Sequence, residues 1–147
     1  MNKIEYIKHK YILMMMVLLT TLAACSSGPQ IYNTDMPVTS QPLVTQELVG
    51  TAIMSASRFF EEWNITKVRP GEMKGTVSYG AHVGIVSIPY DANSFRIIYK
   101  SSDNFDFDAE DQTIHPRYNA WVKKLEDRIN EEIHYHIQLK AQQTEGQ

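Results

Sequence analysis

Two neighbouring runs decide the fold: Lys74-Gly-Thr-Val-Ser-Tyr79 and His82-Val-Gly-Ile-Val-Ser-Ile-Pro-Tyr90, with Gly80-Ala81 between them. In the first run, Val77 and Tyr79 share one face and the residues between them are polar. In the second run, the residues that share a face are Val86, Ile88 and Tyr90. A period of two on both sides of a short turn that contains glycine predicts an antiparallel β-hairpin.

Shorter runs extend this hairpin at both ends. Residues 65–69 form a β-prone segment that Pro70-Gly71 stops. Residues 91–94 form a polar turn, after which the apolar Phe95, Ile97 and Tyr99 alternate with the basic Arg96 and Lys100. Together the runs predict an antiparallel meander of three or four strands with short connections.

A helical stripe precedes the meander. Its apolar members recur at three- and four-residue steps: Leu48, Val49, Ala52, Ile53, Ala56, Phe59, Phe60 and Trp63. Charged residues lie off this stripe, and Thr45 has the side chain of a helix N-cap. The pattern predicts a first helix over residues 46–63.

A second helical stripe follows the meander. Its members are Tyr118, Trp121, Val122, Leu125, Ile129, Ile133, His136 and Ile137. Pro116 suits the first turn, where its missing N–H has no helical partner. The pattern predicts a second helix over residues 116–140.

The order of these elements predicts the fold class. A small sheet cannot bury one face by itself, but two amphipathic helices that flank it in sequence can cover that face together. We therefore expect an α+β fold, a two-layer sandwich in the order α-β-β-β-α, over residues 46–140.

The N-terminus carries the signs of a secretory signal peptide. Residues 1–10 are net positive, the next twelve residues are uncharged and mostly apolar, and small residues precede Cys25. The apolar core is shorter than the roughly 20 residues that a membrane-spanning helix needs. The segment therefore favours a cleaved signal over a membrane-spanning helix.

The tetrapeptide Leu22-Ala-Ala-Cys25 closely resembles the lipobox of bacterial lipoproteins. The resemblance implies that the Cys25 sulfur receives a diacylglyceryl group, that residues 1–24 are removed, and that the new amine is acylated. In such proteins an Asp after the cysteine signals retention in the inner membrane. Ser26 takes that position here, so we expect the outer membrane, facing the periplasm, with the inner membrane as the alternative. The alternatives to lipidation are an ordinary secretory cleavage, which leaves a free cysteine, and an uncleaved anchor.

Size and charge bound the mature protein. Removing residues 1–24 leaves 123 residues, enough for one small domain, with 11 basic and 16 acidic residues. This net charge of −5 argues against binding nucleic acid through bulk charge.

Cys25 is the only cysteine, so no disulfide is available. Residues 25–45 predict a flexible, lipidated tether, and residues 141–147 a disordered tail.

No motif for chemistry or metal binding stands out. The acidic loop over residues 101–113 lacks the glycine and distal glutamate of an EF-hand. His134 and His136 point about 200° apart on a helix, so they cannot share one metal ion. His82 and His115 lie at element ends and are expected to meet, more in a capping role than in catalysis. We expect no enzyme, no cofactor and no metal.

The expected partner-binding residues are the aromatic and basic side chains near the meander: Arg58, Trp63, Arg69, Tyr79, His82, Arg96 and Tyr99. Exposed sheet edges bind extended peptides by adding a strand, and aromatic surfaces bind sugars and partner side chains. The plainer interpretation is that these residues are core aromatics and solvated arginines.

A wider resemblance covers most of residues 50–133. The chain is similar here to a group of small, uncharacterised proteobacterial lipoproteins. The similarity lies in Trp63, Gly75-Thr-Val77, Val86-Ser-Ile-Pro-Tyr90, Phe95-Arg-Ile-Ile-Tyr99, Ser102-Asp-Asn104 and Ile114-His-Pro-Arg-Tyr-Asn-Ala-Trp-Val122. The resemblance implies a helix–meander–helix domain in the envelope and brings no activity.

Three functions are compatible with these features. The leading hypothesis is a lipid-anchored, non-enzymatic protein that binds another envelope component, a protein or a glycan. The alternatives are a lipoprotein that binds a small ligand or a cation, through the acidic loop or the sheet face, and a hydrolase with a dispersed site.

Overall fold

The computed structural model describes residues 28–38 and 41–145. The elements in chain order are β1 (Met36–Pro37), α1 (Gln46–Ser57), β2 (Trp63–Arg69), β3 (Glu72–Tyr79), β4 (His82–Pro89), β5 (Ser94–Phe95), β6 (Ile98–Asp103) and α2 (Pro116–Glu145). The predicted signal peptide and the lipidation site at Cys25 lie outside the described residues.

The main sheet is an antiparallel meander of four strands in the order β2-β3-β4-β6. Its centre is the hairpin that the sequence predicts, with Tyr79 paired to His82 across the turn. Gly80 has φ +59° and Gly71, in the β2–β3 turn, has φ +79°. Because only glycine adopts such angles at low cost, the two glycines fix where the hairpins turn. The α+β class and the order α-β-β-β-α are confirmed.

The two helices lie on one face of the main sheet. Lys140 of α2 donates to the Leu43 carbonyl and His136 contacts Ser55, so the C-terminal half of α2 runs antiparallel to α1. The largest fully buried side chains come from both layers and their connections: Tyr118, Phe95, Phe105, Ile53, Ile88, Ile97, Ile114, Leu125, Ile129, Val49, Val77 and Val86. At about 25 cal/mol per Å² of apolar surface removed from water, this single core is the main source of stability.

The first helix ends earlier than predicted, at Ser57 and not at residue 63. Arg58 is its C-cap, and the N–H groups of Phe59 and Phe60 bond to carbonyls three residues back, which tightens and closes the turn. Trp63 belongs to β2 and pairs with Val77. The helical spacing of Trp63 was misleading because a core-facing residue at the start of a strand satisfies the same period.

The fourth strand of the main sheet is also displaced from its prediction over residues 95–99. Residues 94–95 form β5, which pairs with β1, whereas β6 begins at Ile98 and extends to Asp103, inside the predicted acidic loop. A register shift between Ile85 and Val86 accompanies the pairing of β4 with β6. Apolar alternation continues through residues 95–99, so it does not reveal that the strand changes its partner.

The predicted flexible tether is wrong for residues 28–38, which pack along the domain and which we call the strap. The Thr34 N–H donates to the Ile97 carbonyl (3.1 Å), and the Ile97 N–H donates to the Thr34 hydroxyl (2.9 Å). Thr34 and Val38 are buried. The strap shows no sequence period because successive residues bond to different parts of the fold.

A second set of bonds joins the strap to α2. Asn119 accepts from the Tyr32 N–H (2.9 Å) and donates to the Gln30 carbonyl (2.8 Å). The Tyr32 hydroxyl donates to Glu126 (2.9 Å), a buried carboxylate that also pairs with Lys123 at 3.1 Å. Burial and this hydrogen bond raise the pKa of Tyr32.

The end of the chain differs from the predicted tail over residues 141–147. Helix α2 begins at Pro116, as predicted, and continues to Glu145. At 1.5 Å per residue its 30 residues are about 45 Å long, which exceeds the roughly 27 Å of an eight-residue strand. The turns of α2 around Lys140 lie beside the start of α1, where Lys140 donates to the Leu43 carbonyl.

Two tyrosines give a matched test of this packing. Tyr32→Phe removes a hydrogen bond to the buried Glu126 carboxylate, so we expect a loss of about 1–2 kcal/mol in the free energy of unfolding by urea. The Tyr118 hydroxyl is buried with no partner in the described structure, and burial raises its pKa. Tyr118→Phe should therefore leave stability unchanged or raise it. A larger loss for Tyr118→Phe than for Tyr32→Phe would contradict the described contacts.

Candidate functional site

The seven residues predicted to bind a partner do not form one site. Arg58, Arg69 and Arg96 are exposed at three separate places: after α1, at the end of β2, and between β5 and β6. Tyr79 and His82 face each other across the β3–β4 turn. The remaining two residues belong to the interior.

Trp63 and Tyr99 are core residues, as the plainer interpretation of the sequence held. Trp63 is only 6% exposed, and a Cβ on Gly75 would lie 3.1 Å from its ring. Tyr99 is half-buried and meets the ring of Tyr118 edge-on at 5.6 Å. The prediction that Trp63 contacts a partner is therefore wrong, because its ring fills the space above a glycine within the sheet.

A surface cluster forms around Tyr79, and we call Tyr79, Arg117 and Trp121 the aromatic patch. Tyr79 is 56% exposed and meets Trp121 edge-on at 6.0 Å between ring centroids. The Arg117 guanidinium lies over the Tyr79 ring at 5.8 Å, within cation–π range. Phe105 supports the patch from below, perpendicular to Trp121 at 5.6 Å. Edge-to-face packing fixes these rings while Tyr79 stays accessible.

His82 and His115 meet beside this patch, as their positions predict. Their ring centroids are 6.5 Å apart. The Nδ1 atom of His115 accepts a hydrogen bond from the N–H of Arg117 (3.1 Å), and the His115 N–H donates to the Phe105 carbonyl. His115 is therefore the N-cap of α2, and its Nδ1 atom must be unprotonated to serve as the acceptor.

A cleft lies at the opposite end of the sheet. It has a volume of about 460 Å³ and lies between the first half of α1 and the β2–β3 turn. Its lining residues are Gln46, Glu47, Gly50, Thr51, Lys67, Pro70, Gly71, Met73 and Tyr90. A Cβ on Gly50 would lie 2.9 Å from the Tyr90 hydroxyl oxygen, and one on Gly71 2.6 Å from Gln46 Nε2. Gly50 is therefore needed for the close approach of Tyr90, whereas Gly71 is required by its φ of +79°, since the Gln46 side chain is flexible.

Strand β2 forms the rim of this cleft and is an end strand of the main sheet. The Ser78 N–H donates to the Glu62 carbonyl (2.8 Å), which sets the hydrogen-bond phase of the β2–β3 pair. By the alternation of antiparallel ladders, the N–H and C=O groups of Ile65 and Lys67 then point away from β3. The cleft and this outward edge together form what we call the edge cleft.

The acidic loop is organised by its own backbone. Asp108 Oδ1 accepts from the N–H groups of Glu110 (2.8 Å) and Asp111 (3.1 Å). Asp106, Asp108 and Asp111 line a cavity of about 310 Å³ with Gly28 and the start of α2. Among residues 28–38 and 41–145, no group of three or more His, Cys, Asp or Glu side chains is placed to hold a metal ion.

Sequence reasoning missed several members of these two surfaces. Arg117 and Trp121 were assigned to helix two without a surface role, and Lys67 and Tyr90 to strands. For the patch, the spacing of Arg117 and Trp121 was a useful signal. The two residues are four positions apart, which places their side chains side by side on a helix. No local signal identifies the edge cleft, because its two walls come from α1 and the β2–β3 turn.

No family model matches the chain, and neither a curated protein nor a solved structure matches it. In the described part of the chain, no helix combines the length and the apolar character needed to cross a membrane.

The capping role of His115 can be tested by substitution. His115→Ala removes the acceptor for the Arg117 N–H, so we expect the free energy of unfolding to fall by roughly 0.5–2 kcal/mol. His115→Asn supplies a new cap acceptor and should recover most of that loss in the same urea titration. Equal stability of the Ala variant and the native protein would contradict the cap.

Proposed function

We propose that this protein is a lipid-anchored lipoprotein of the bacterial envelope whose domain binds another envelope protein without catalysing a reaction. The support for the anchor is the sequence Leu22-Ala-Ala-Cys25 behind a short apolar core. Ser26 favours the outer membrane, with the domain on the periplasmic side. Several acyl chains on Cys25 would hold the protein far more firmly than one chain.

The observation that carries the binding proposal is the edge cleft. An end strand with outward N–H and C=O groups accepts an extended peptide as a further strand, because main-chain hydrogen bonds do not depend on the peptide's sequence. The neighbouring cleft then selects among peptides by the side chains that it accepts. A helix wall on one side and a strand edge on the other suit this mode.

Lys67 on the rim of the cleft favours a peptide with an acidic side chain, placed away from Glu47 on the α1 wall. Tyr90 and Gly50 form a narrow, closely packed wall, whereas most of the lining surface of the cleft is polar. Lys67 on the rim is exposed and makes no ion pair within the described residues, whereas Arg69 is already paired with Glu72 at 2.7 Å. A carboxylate on the peptide would meet Lys67 at the surface, an interaction that adds specificity more than affinity.

The polar groups of the edge cleft support binding more than catalysis. Gln46 donates to the Tyr90 carbonyl (3.3 Å), and the Thr51 hydroxyl donates to the Glu47 carbonyl (2.9 Å). These partners belong to the backbone, so neither group is paired with a base that would activate it as a nucleophile. His115 at the other end of the sheet has a structural bond of its own.

Attachment of lipid can be tested directly on the protein from membranes. Intact-mass analysis should show the loss of residues 1–24 and a mass increment of several acyl chains on Cys25. Cys25→Ser should abolish the increment and release the protein from the membrane pellet. A native protein without any acyl increment would refute the lipoprotein part of the proposal.

The edge cleft can be tested by site-specific photo-crosslinking in cells. Val68 is 59% exposed on β2, so a photoreactive amino acid there should capture one recurrent envelope protein, identified by mass spectrometry. Gln138, exposed on α2, is the control position and should not capture it. Capture of the same set of proteins from both positions would refute a site at this edge.

A proline variant then separates backbone pairing from side-chain contacts. Lys67→Pro removes an outward N–H, a change that end strands tolerate, so the fold should survive while the cross-link is lost. Lys67→Ala keeps the N–H and should retain most of the cross-link. If both variants cross-link like the native protein and circular dichroism shows that both are folded, strand addition is wrong. Capture of a glycan in place of a protein would also show that strand addition is wrong.

A further inference from the structure

The start of the strap lies at the N-terminal end of α2. The Ile114 N–H donates to the Pro29 carbonyl (3.1 Å), and a Cβ on Gly28 would lie 3.0 Å from the Ile114 carbonyl oxygen. Gln30 bridges to Thr113 on the same side. The chain therefore enters the folded body beside the first turn of α2, and the bonds of the strap hold it there.

The proposed lipidation of Cys25, on which this inference rests, brings that end of the domain close to the membrane. Only Ser26 and Ser27 separate Cys25 from Gly28. Three residues of extended chain span at most about 11 Å. Because the strap is packed on the domain, it supplies no additional reach. The N-terminal end of α2 is therefore held within roughly 11 Å of the lipidated cysteine, one to two times the roughly 5–8 Å that headgroups add to each side of the hydrocarbon.

The aromatic patch belongs to this same end of the domain. Arg117 lies in the first turn of α2, and Tyr79 begins the β3–β4 turn, whose far side contacts His115 through His82. Tyrosine and tryptophan prefer the boundary between water and hydrocarbon, because their rings are apolar and their polar atoms remain hydrated. A guanidinium pairs with lipid phosphate through a planar fork of donors.

We propose that the aromatic patch, Tyr79, Arg117 and Trp121, rests on the headgroup region of the membrane to which Cys25 is attached. The exposed Tyr79 ring and the Arg117 guanidinium make the first contact, and the β3–β4 turn points toward the lipid. The edge cleft lies at the opposite end of β3, about 25 Å away, and faces the periplasm.

The neighbouring charges define the kind of lipid surface that suits this contact. The acidic loop at the same end carries Asp106, Asp108 and Asp111 around Gly28, whereas the Arg117 guanidinium lies over the Tyr79 ring. Carboxylates are repelled by anionic headgroups, and their interaction with zwitterionic headgroups is weaker. The contact therefore favours a zwitterionic surface such as phosphatidylethanolamine.

The test uses the full lipidated chain in phosphatidylethanolamine–phosphatidylcholine vesicles. Cys25 is the only cysteine and its thiol is consumed by the lipid, so one introduced cysteine can carry a fluorophore. Ala81→Cys labels the β3–β4 turn, and Pro70→Cys labels the β2–β3 turn at the opposite end; both positions are exposed. Quenching by lipids with nitroxide headgroups should be several-fold stronger at position 81 than at position 70.

Surface variants then ask whether the patch makes the contact. Tyr79→Ser combined with Arg117→Ser should lower quenching at position 81 by several-fold, whereas Arg69→Ser at the distal end should leave it unchanged. Equal quenching at positions 81 and 70 would overturn the proposal. Strong quenching at position 81 that is unchanged in the double variant would also overturn the proposal. The anchor alone would then bring the β3–β4 turn close to the lipid.

These outcomes are distinct from a failure of lipidation. Intact mass before reconstitution reports the acyl chains on Cys25 independently of fluorescence. A protein that carries the acyl chains but shows no selective quenching keeps its anchor and loses the patch contact. A protein without acyl chains refutes both, because the contact rests on the anchor.

Discussion

The two hydrogen bonds between Thr34 and Ile97 hold the middle of the strap against the domain, and the course of the chain from its entry beside α2 depends on that constraint. They join residues 63 positions apart and are buried. An unmade bond at a buried backbone N–H costs on the order of 1–3 kcal/mol, so the strap does not detach cheaply from the edge of the sheet. The strap residue Tyr32 adds a further hydrogen bond to Asn119 on α2. Together these bonds make the strap, which has the composition of a linker, a part of the fold.

The strap also completes a small core that has no disulfide. Val38 and Thr34 are buried beside β5 and its flanking residues, where apolar surface would otherwise reach solvent. The two helices close the remaining inner face, and the interior is filled by aromatic and branched side chains around Tyr118. A chain of this size buries a smaller fraction of its surface than a larger domain, so each added segment contributes noticeably to a marginal total.

Local patterns in the sequence predicted an element correctly where neighbouring residues alone determine its structure. The β3–β4 hairpin was predicted correctly because alternation and a glycine turn agree there, and α2 because its stripe is long and begins at Pro116. The end of α1 was misplaced because Trp63 fits both a helical and a strand position. The strap was missed because its order comes from partners at residues 97, 119 and 126, which no local period reveals. The candidate sites divide in the same way: His82 and His115 were expected to meet because both lie at element ends, whereas the walls of the edge cleft are neighbours only in the folded chain.

The strap and the two surfaces together define how far the protein would act from its membrane. A flexible linker of about twenty residues has a root-mean-square length of roughly 22–27 Å and would let the domain turn freely. With the proposed lipid on Cys25 and the proposed patch contact, a packed strap would replace that freedom with a preferred direction, in which the edge cleft lies about one strand length beyond the aromatic patch. On the proposed attachment, a partner would then meet the cleft at nearly constant height. Such a constraint lowers the orientational entropy lost when a peptide adds to β2, because the anchor has already removed part of it. The strap therefore links the two proposals physically. The proposed contact of the aromatic patch with the lipid would leave the edge cleft, at the opposite end of the domain, accessible to a partner.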